Sequence, residues 1–333
     1  MSTVILGLDI GGANLKAAHT NDSARTIPFA LWKHPERLGA ELAQLCAAMP
    51  AHECLAVTMT GELCDCFDSK RDGVRKILLA ARSAAPRLPI RVWTTHSRFL
   101  DLEEAMDEPH RVAAANWLAL ACYVGLLFPN ETVLLIDTGS TTTDIVAVNR
   151  GTPAPHGLTD PDRLASGELV YTGMRRTPIC AVLGMEVAAE FFATMLDAYL
   201  FLRLVAENTH DCDTADGRPA TRAFAHARLA RMCCADVETF PKEEARAFAE
   251  YAVRTQWETV ERAIARATAQ RPEVDRVVLS GSGAILGKNV CARSPRWVTT
   301  PLSCLADSLG PDLSDAACAY AVAMLAAQEK NRV

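Results

Sequence analysis

Hydrophobic positions along this chain fall into short unbroken runs separated by stretches of helical spacing. Residues 3–9 form an apolar run that reads as a buried strand, and Leu15–His19 returns as its hairpin partner. A third strand is expected near Ile27–Leu31. Apolar positions recur with helical period over Glu36–Ala48, "CLAVTMTG" is a further buried strand, and Gly73–Ser83 is a helix. "PIRVWTT" is the next strand, followed by helices over Leu102–Phe128 that stop at Pro129-Asn130. At residue 131 the pattern restarts as strand, turn and strand. Long helices are expected over Val187–Val205, Ala223–Ala235 and Lys242–Ala269. A strand "RVVLS" leads into "GSGAILG", and Ser314–Gln328 is a terminal amphipathic helix. The segment Gly151–Glu186 and the polar run "ENTHDCDTADGRPATR" lie outside the repeat and read as insertions, where specificity often resides.

The restart is a repeat of one device. In "LGLDIGGANLKAA" and "LLIDTGSTTTDIVAV" an apolar strand ends in Asp, passes a glycine turn and resumes as a strand. Aligning Asp9 with Asp137 sets Gly11 on Gly139, Gly12 on Ser140 and Asn14 beside Thr142. Backbone N–H groups freed from the ladder at such turns converge on an anion, and glycine lets the backbone approach closely. A dinucleotide-binding turn is disfavoured, because a strand rather than a helix follows Gly12 and no third glycine stands at that spacing. Walker A is absent. The expected phosphate contacts are Gly11, Gly12, Asn14 and Lys16 in the first hairpin and Thr138, Gly139, Ser140 and Thr141 in the second, with Arg175 and Arg176 as cationic partners. Asp9 and Asp137, just before the turns, are candidate Mg²⁺ ligands, because hard carboxylates suit that ion opposite phosphate oxygens.

Composition narrows the class. Half of the 333 residues are hydrophobic and 22% are charged, an ordinary globular balance whose length favours two domains. A net charge of −6 argues against a general nucleic-acid or anionic-membrane binder. The run Val112–Phe128 is shorter than a membrane span and reads as a buried helix. No basic, cleavable leader is visible, so a cytoplasmic chain is expected. The twelve cysteines lack zinc spacing and read mostly as small core residues, with Trp117 and Tyr123 as core aromatics.

The duplicated hairpin, with the later turn Gly281, Ser282, Gly283, resembles the acetate kinase, sugar kinase, Hsp70 and actin superfamily. That resemblance implies an α/β, ribonuclease H-like fold of two duplicated domains clasping a phosphate-bearing ligand. Residues 1–130 with 314–333 would form one domain, and 131–313 the other, with insertions at about 151–222. Gly281–Gly283 would match its adenosine motif, and the helices Arg111–Phe128 and Asp315–Ala327 its two connecting motifs.

Longer words narrow the resemblance: "VTMTGELCDCFDSKRDGVRKIL", "SGELVYTGMRRTPICA", "EFFATMLDAYLFL" and "TADGRPATRAFAHARLARM". They are similar to the hydantoinase/oxoprolinase-related family of tetrahydromethanopterin-linked C1 transfer pathway proteins. Archaeal members include a methanofuran-biosynthesis enzyme that joins an aminomethylfuran diphosphate to γ-glutamyltyramine. The resemblance implies a transferase in which a phenol oxygen attacks a furan-linked CH₂ and diphosphate leaves. A phenol, with an ordinary pKa of about 10, then benefits from a general base. Glu62, Asp65, Asp144 and Glu168 are the carboxylates to consider, with Asp144 preferred. Asp197, which interrupts an apolar helix, is either paired with a cation or, as preferred, facing the cleft. Asp216 and Arg218, in a loop with His210, Asp211 and Asp213, are either part of a solvated connector or candidates for a second metal or diphosphate site or for receiving the acceptor's glutamyl end. The expected partners are small-molecule diphosphate and phenolic amine substrates, and the sequence leaves homo-oligomerisation open. Rival readings are an ATP-dependent kinase or ATP-coupled amidohydrolase, and a nucleotide-driven sensor or scaffold.

Overall fold

The computed structural model describes residues 4–269 and 273–330. Thr3 of the expected first strand, and residues 331–333 of the terminal segment, lie outside the described residues. Among the described residues twelve strands form two sheets. The first contains β1 (Ile5–Ile10), β2 (Asn14–His19), β3 (Ala24–Pro28), β4 (Cys54–Met59), β5 (Ile90–Trp93) and β6 (Phe99–Asp101) in the order β3-β2-β1-β4-β5-β6. The second contains β7 (Thr132–Thr138), β8 (Thr143–Asn149), β9 (Thr152–Pro153), β10 (Leu169–Val170), β11 (Arg276–Ser280) and β12 (Leu302–Cys304). Its order is β10-β8-β7-β11-β12, with β9 beside β8.

The two sheets repeat the same pairings. β1 pairs antiparallel with β2 and parallel with β4, and β7 pairs antiparallel with β8 and parallel with β11. Every residue of β1 and β4 is buried, as expected for strands covered on both faces. The helices Asn116–Leu127 and Ala317–Lys330 lie between the sheets, and one core joins Ile5 and Ala56 through Leu118 and Ala319 to Val133 and Val146. The helix Ala317–Lys330 is alanine-rich, which allows close backbone approach. A Cβ on Gly7 would lie 1.9 Å from the Ala319 carbonyl oxygen. Gly7→Ala is therefore expected to destabilise the chain by at least the roughly 1–3 kcal/mol of an overpacked core, measured by urea unfolding.

Several elements depart from the sequence reading. The third strand is Ala24–Pro28, because a tight turn through Asp22 (φ 68°) lets pairing restart early. Leu102–Phe128 divides into Leu102–Asp107, Pro109–Val112 and Asn116–Leu127: Pro109 has no N–H to continue a helix, and Ala114 takes φ 48°. Val187–Val205 is helical only over Met195–Phe201, where Thr194 and Asp197 form a capping box. The short strands β6, β9, β10 and β12, and the helix Ala284–Arg293 after the glycine turn, were not anticipated. Trp117 and Tyr123 are core aromatics as expected. Of the cysteines, Cys46, Cys54, Cys291 and Cys318 are buried, Cys64, Cys66, Cys122, Cys180 and Cys304 are partly buried against the hydrophobic clusters, and Cys212, Cys233 and Cys234 are exposed. No helix among the described residues is long and apolar enough to cross a membrane.

Candidate active site

The two Asp-glycine hairpins close in the same way. Gly11 N–H donates to Asn14 O at 3.0 Å, and Gly139 N–H donates to Thr142 O at 2.9 Å. Each turn is braced from outside through its carbonyls. Leu31 N–H donates to Gly12 O, while the N–H groups of Met174, Arg175 and Arg176 donate to Gly139 O and Ser140 O at 2.9–3.1 Å. Gly173 is the close-approach point, since a Cβ there would lie 2.6 Å from Thr141 N. With the carbonyls occupied, the N–H groups of Gly12, Ala13, Ser140 and Thr141 have no acceptor among the described residues.

Both turns line one cavity of about 780 Å³, a size suited to a small-molecule substrate. Asp9, Lys16, Asp137 and Asp144 line it together with Gly11, Gly12, Asn14, Gly139, Ser140, Thr141, Arg175 and Arg176. Asp144 stands opposite Asp137 in the β7–β8 register. Its Oδ1 accepts from Arg163 Nη2 at 2.7 Å, and the Arg163 guanidinium is buried 3.9 Å above the Trp117 ring. Gly281 and Ser282 reach the same cavity. Gly281 has φ 82°, and Gly283 N–H donates to Thr138 O.

The electrostatics are dominated by acid. Burial raises Asp9 to about 6 against the pull of Lys16. Burial, with Asp144 alongside, raises Asp137 to about 7. Burial pulls the Lys16 amine down, but Asp315, Asp9 and Asp137 outweigh it and hold the amine above its ordinary value. Lys16 Nζ donates to the Asp315 backbone carbonyl and lies 3.2 Å from its Oδ1. Asp9 Oδ1 is buried without a hydrogen-bond partner among the described residues. An anion entering here needs a counter-cation between itself and these carboxylates. Mg²⁺ fits, because it binds through one or two carboxylates and completes its shell with phosphate and water oxygens. No group of three or more potential ligands is present among the described residues.

Other expected residues lie elsewhere. Thr138 is fully buried and packs against Gly283, and Gly283 serves the helix start. Glu62 is buried beside the first hairpin but does not line the cavity; burial lifts it to about 7 and its Oε2 is unpaired among the described residues. Asp65 is exposed and also outside the cavity. Glu168 holds the backbone of His156 and Gly157 at 2.8–3.3 Å. Asp197 does not face the cleft: its Oδ1 takes Arg228 Nε at 2.7 Å and its Oδ2 caps Thr194 N–H. Asp216 pairs with Arg218 and Arg228, away from the cavity. The other half of that loop faces inward, with Asn208, His210, Asp211 and Asp213 lining the cavity and Asp211 chelating Arg175 at 2.7 and 3.1 Å. Asp197→Ala is expected to cost up to about 3–5 kcal/mol, because the buried Arg228 then keeps only Asp216 as its carboxylate partner among the described residues. Turnover per folded molecule should not change; urea unfolding and kcat check the two halves.

Sequence reasoning missed Asn116, Asp315, Cys318 and Arg163. Asn116 is the lone polar residue opening an otherwise apolar helix, a signal that was available, and it draws Asp9 down as a hydrogen-bond partner. Asp315 stands 299 positions from Lys16, and no local pattern links them.

Comparison with known proteins agrees with this architecture. The hydantoinase/oxoprolinase family profile matches residues 53–295. The (4-{4-[2-(gamma-L-glutamylamino)ethyl]phenoxymethyl}furan-2-yl)methanamine synthase of Methanocaldococcus jannaschii is 30% identical over 343 residues, covering all of both chains. The synthase of the same name from Methanococcus vannielii is 26% identical over 210 residues, 61% of this chain and 94% of that one. Among solved structures, nucleotide-free acetone carboxylase shares the fold at a TM-score of 0.56 and 9% identity, over 97% of this chain and 70% of that chain. The α/β fold with two repeated sheets, expected from the paired hairpins, is thus borne out. The chain belongs to the hydantoinase/oxoprolinase family of enzymes and, by its full-length likeness to the Methanocaldococcus protein, to the synthase group within it.

Proposed function

We propose that the chain condenses an aminomethylfuran-methyl diphosphate with the phenol of γ-glutamyltyramine, forming the aryl ether and releasing diphosphate. The observation that carries this reading is the pair of matching hairpins whose free N–H groups meet Lys16 and Arg176 in one cavity. The printed name of the full-length relative supports the same product. In this reading residues 1–130 with 314–333 form one lobe and 131–313 the other, and the diphosphate sits between them.

The furan-linked C–O bond breaks, and its electron pair leaves with the diphosphate. The phenol oxygen then bonds the CH₂, which a furan ring stabilises as it becomes cationic. Bound Mg²⁺, held by Asp9 and Asp137, would neutralise charge building on the leaving group. The hairpin N–H groups orient the diphosphate, and Lys16 adds a point charge beside it. Asp144, fixed by Arg163, takes the phenol proton.

The ATP-dependent alternative has one observation in its favour, the turn Gly281–Ser282 lining the same cavity. Calorimetric titration with diphosphate and, separately, ATP, each with Mg²⁺, distinguishes them. Saturable diphosphate binding without ATP turnover is the expected result. ATP binding followed by ADP release would replace the transferase with a kinase or amidohydrolase.

A further inference from the structure

Arg175 and Arg176 are adjacent in the cavity wall, yet their side chains are held differently. The Arg175 fork is taken up by Asp211. Arg176 makes no ion pair among the described residues, and its guanidinium carbon lies 4.5 Å from the centre of the Trp32 ring. A guanidinium resting on an aromatic face is held through its own flat face, so its N–H donors remain directed outward from its edge. A carboxylate partner would have consumed them.

The backbone connections of this pair reach both hairpins. Arg176 N–H donates to Ser140 O at 2.9 Å, which ties it to the second turn. Trp32 follows Leu31, whose N–H donates to Gly12 O at 2.9 Å in the first turn. One ring-to-guanidinium contact therefore joins the braces of the two phosphate turns from opposite sides of the cleft.

We infer that Trp32 is a positioning residue: it holds Arg176 with its donors free for the diphosphate and links the two hairpins across the cleft. This rests on the diphosphate reading above. Trp32 does not line the cavity, so it acts through Arg176 and not by touching substrate.

The test is calorimetric titration of inorganic pyrophosphate with Mg²⁺ into the full chain and into Trp32→Ala, Trp32→Phe, Arg176→Ala and the double alanine variant, with circular dichroism and a thermal melt on each. Trp32→Ala and Arg176→Ala should each weaken binding about tenfold, the scale of a partly desolvated cation–π contact. The double variant should be no weaker than Arg176→Ala alone, and Trp32→Phe should stay within about threefold of the natural chain, because an aromatic face remains. With the synthase substrates, Trp32→Ala should raise KM for the diphosphate donor more than it lowers kcat. Unchanged affinity in a folded Trp32→Ala, or losses that simply add in the double variant, overturns the inference while leaving the diphosphate site intact. Failure of the natural chain itself to bind pyrophosphate is a different result, which removes the diphosphate reading and this inference with it.

Discussion

Asp144→Asn is expected to lower kcat for ether formation by about 10²–10⁴-fold, the range for loss of a positioned general base. Asparagine keeps the shape and an oxygen that can accept from Arg163, but it cannot take the phenol proton. The change also removes the negative charge facing a guanidinium that is 1% exposed. A truncated buried pair costs about 3–5 kcal/mol, and asparagine should cost less because the hydrogen bond at 2.7 Å survives. Single-turnover rates per folded molecule, with urea unfolding alongside, separate the two effects. Raising the pH should recover part of the rate, as more phenol ionises without help. A kcat within about threefold of the natural chain would assign the proton to another group.

The second large effect is on stability against pH. Asp9 and Asp137 move from 3.8 to about 6 and about 7, and Glu62 from 4.5 to about 7, burial being the main cause in each. The folded chain therefore binds more protons than the unfolded chain between roughly pH 4 and 7, and stability falls as pH rises through that window. Their contribution is fully present below the unfolded values and is lost above about 7. At about 1.4 kcal/mol per pKa unit the combined effect is several kcal/mol, which corresponds to a Tm lower by the order of 10 °C at pH 8 than at pH 5 in chelator. Asp216 has the opposite sign: burial raises it, but Arg218 and Arg228 outweigh burial and hold it at about 2. Its stabilisation is lost only below about pH 4, outside the window tested. Mg²⁺ should raise Tm at pH 8 much more than at pH 5, where protons occupy the same oxygens. Asp9→Asn with Asp137→Asn should flatten both dependences. A Tm that rises from pH 5 to 8 in chelator and does not respond to Mg²⁺ would contradict this account of the cleft.

The parts of the site legible in the sequence are those built by local repetition. Asp9 and Asp137 announce themselves because a carboxylate ending a fully apolar strand, followed by glycine, occurs twice at matching spacing. Closure of both turns by the same N–H to carbonyl bond is the physical reason for the likeness. Long-range partners were not legible. Asp315 meets Lys16, and Arg163 meets Asp144, only after the sheets and the insertion have packed. Asp197 was misplaced for a related reason. A buried carboxylate in an apolar helix is stable either at a cleft or against a buried cation, and periodicity does not contain the position of Arg228. The polar loop was recognised as a cluster, but which of its residues turn inward was not legible, because the turn that points Asp211 at Arg175 depends on contacts outside the loop. Helix ends failed where local backbone geometry overrode periodicity, as at the Thr194 capping box and the left-handed Ala114.

The most direct measurement is product formation without nucleotide. The purified chain is incubated with aminomethylfuran-methyl diphosphate, γ-glutamyltyramine and Mg²⁺, and the ether product and free diphosphate are quantified by mass spectrometry and a diphosphate assay. Equimolar ether and diphosphate are expected, formed at the same rate whether or not ATP is present. No ether in the absence of ATP, or diphosphate released without ether, would contradict the transferase reading.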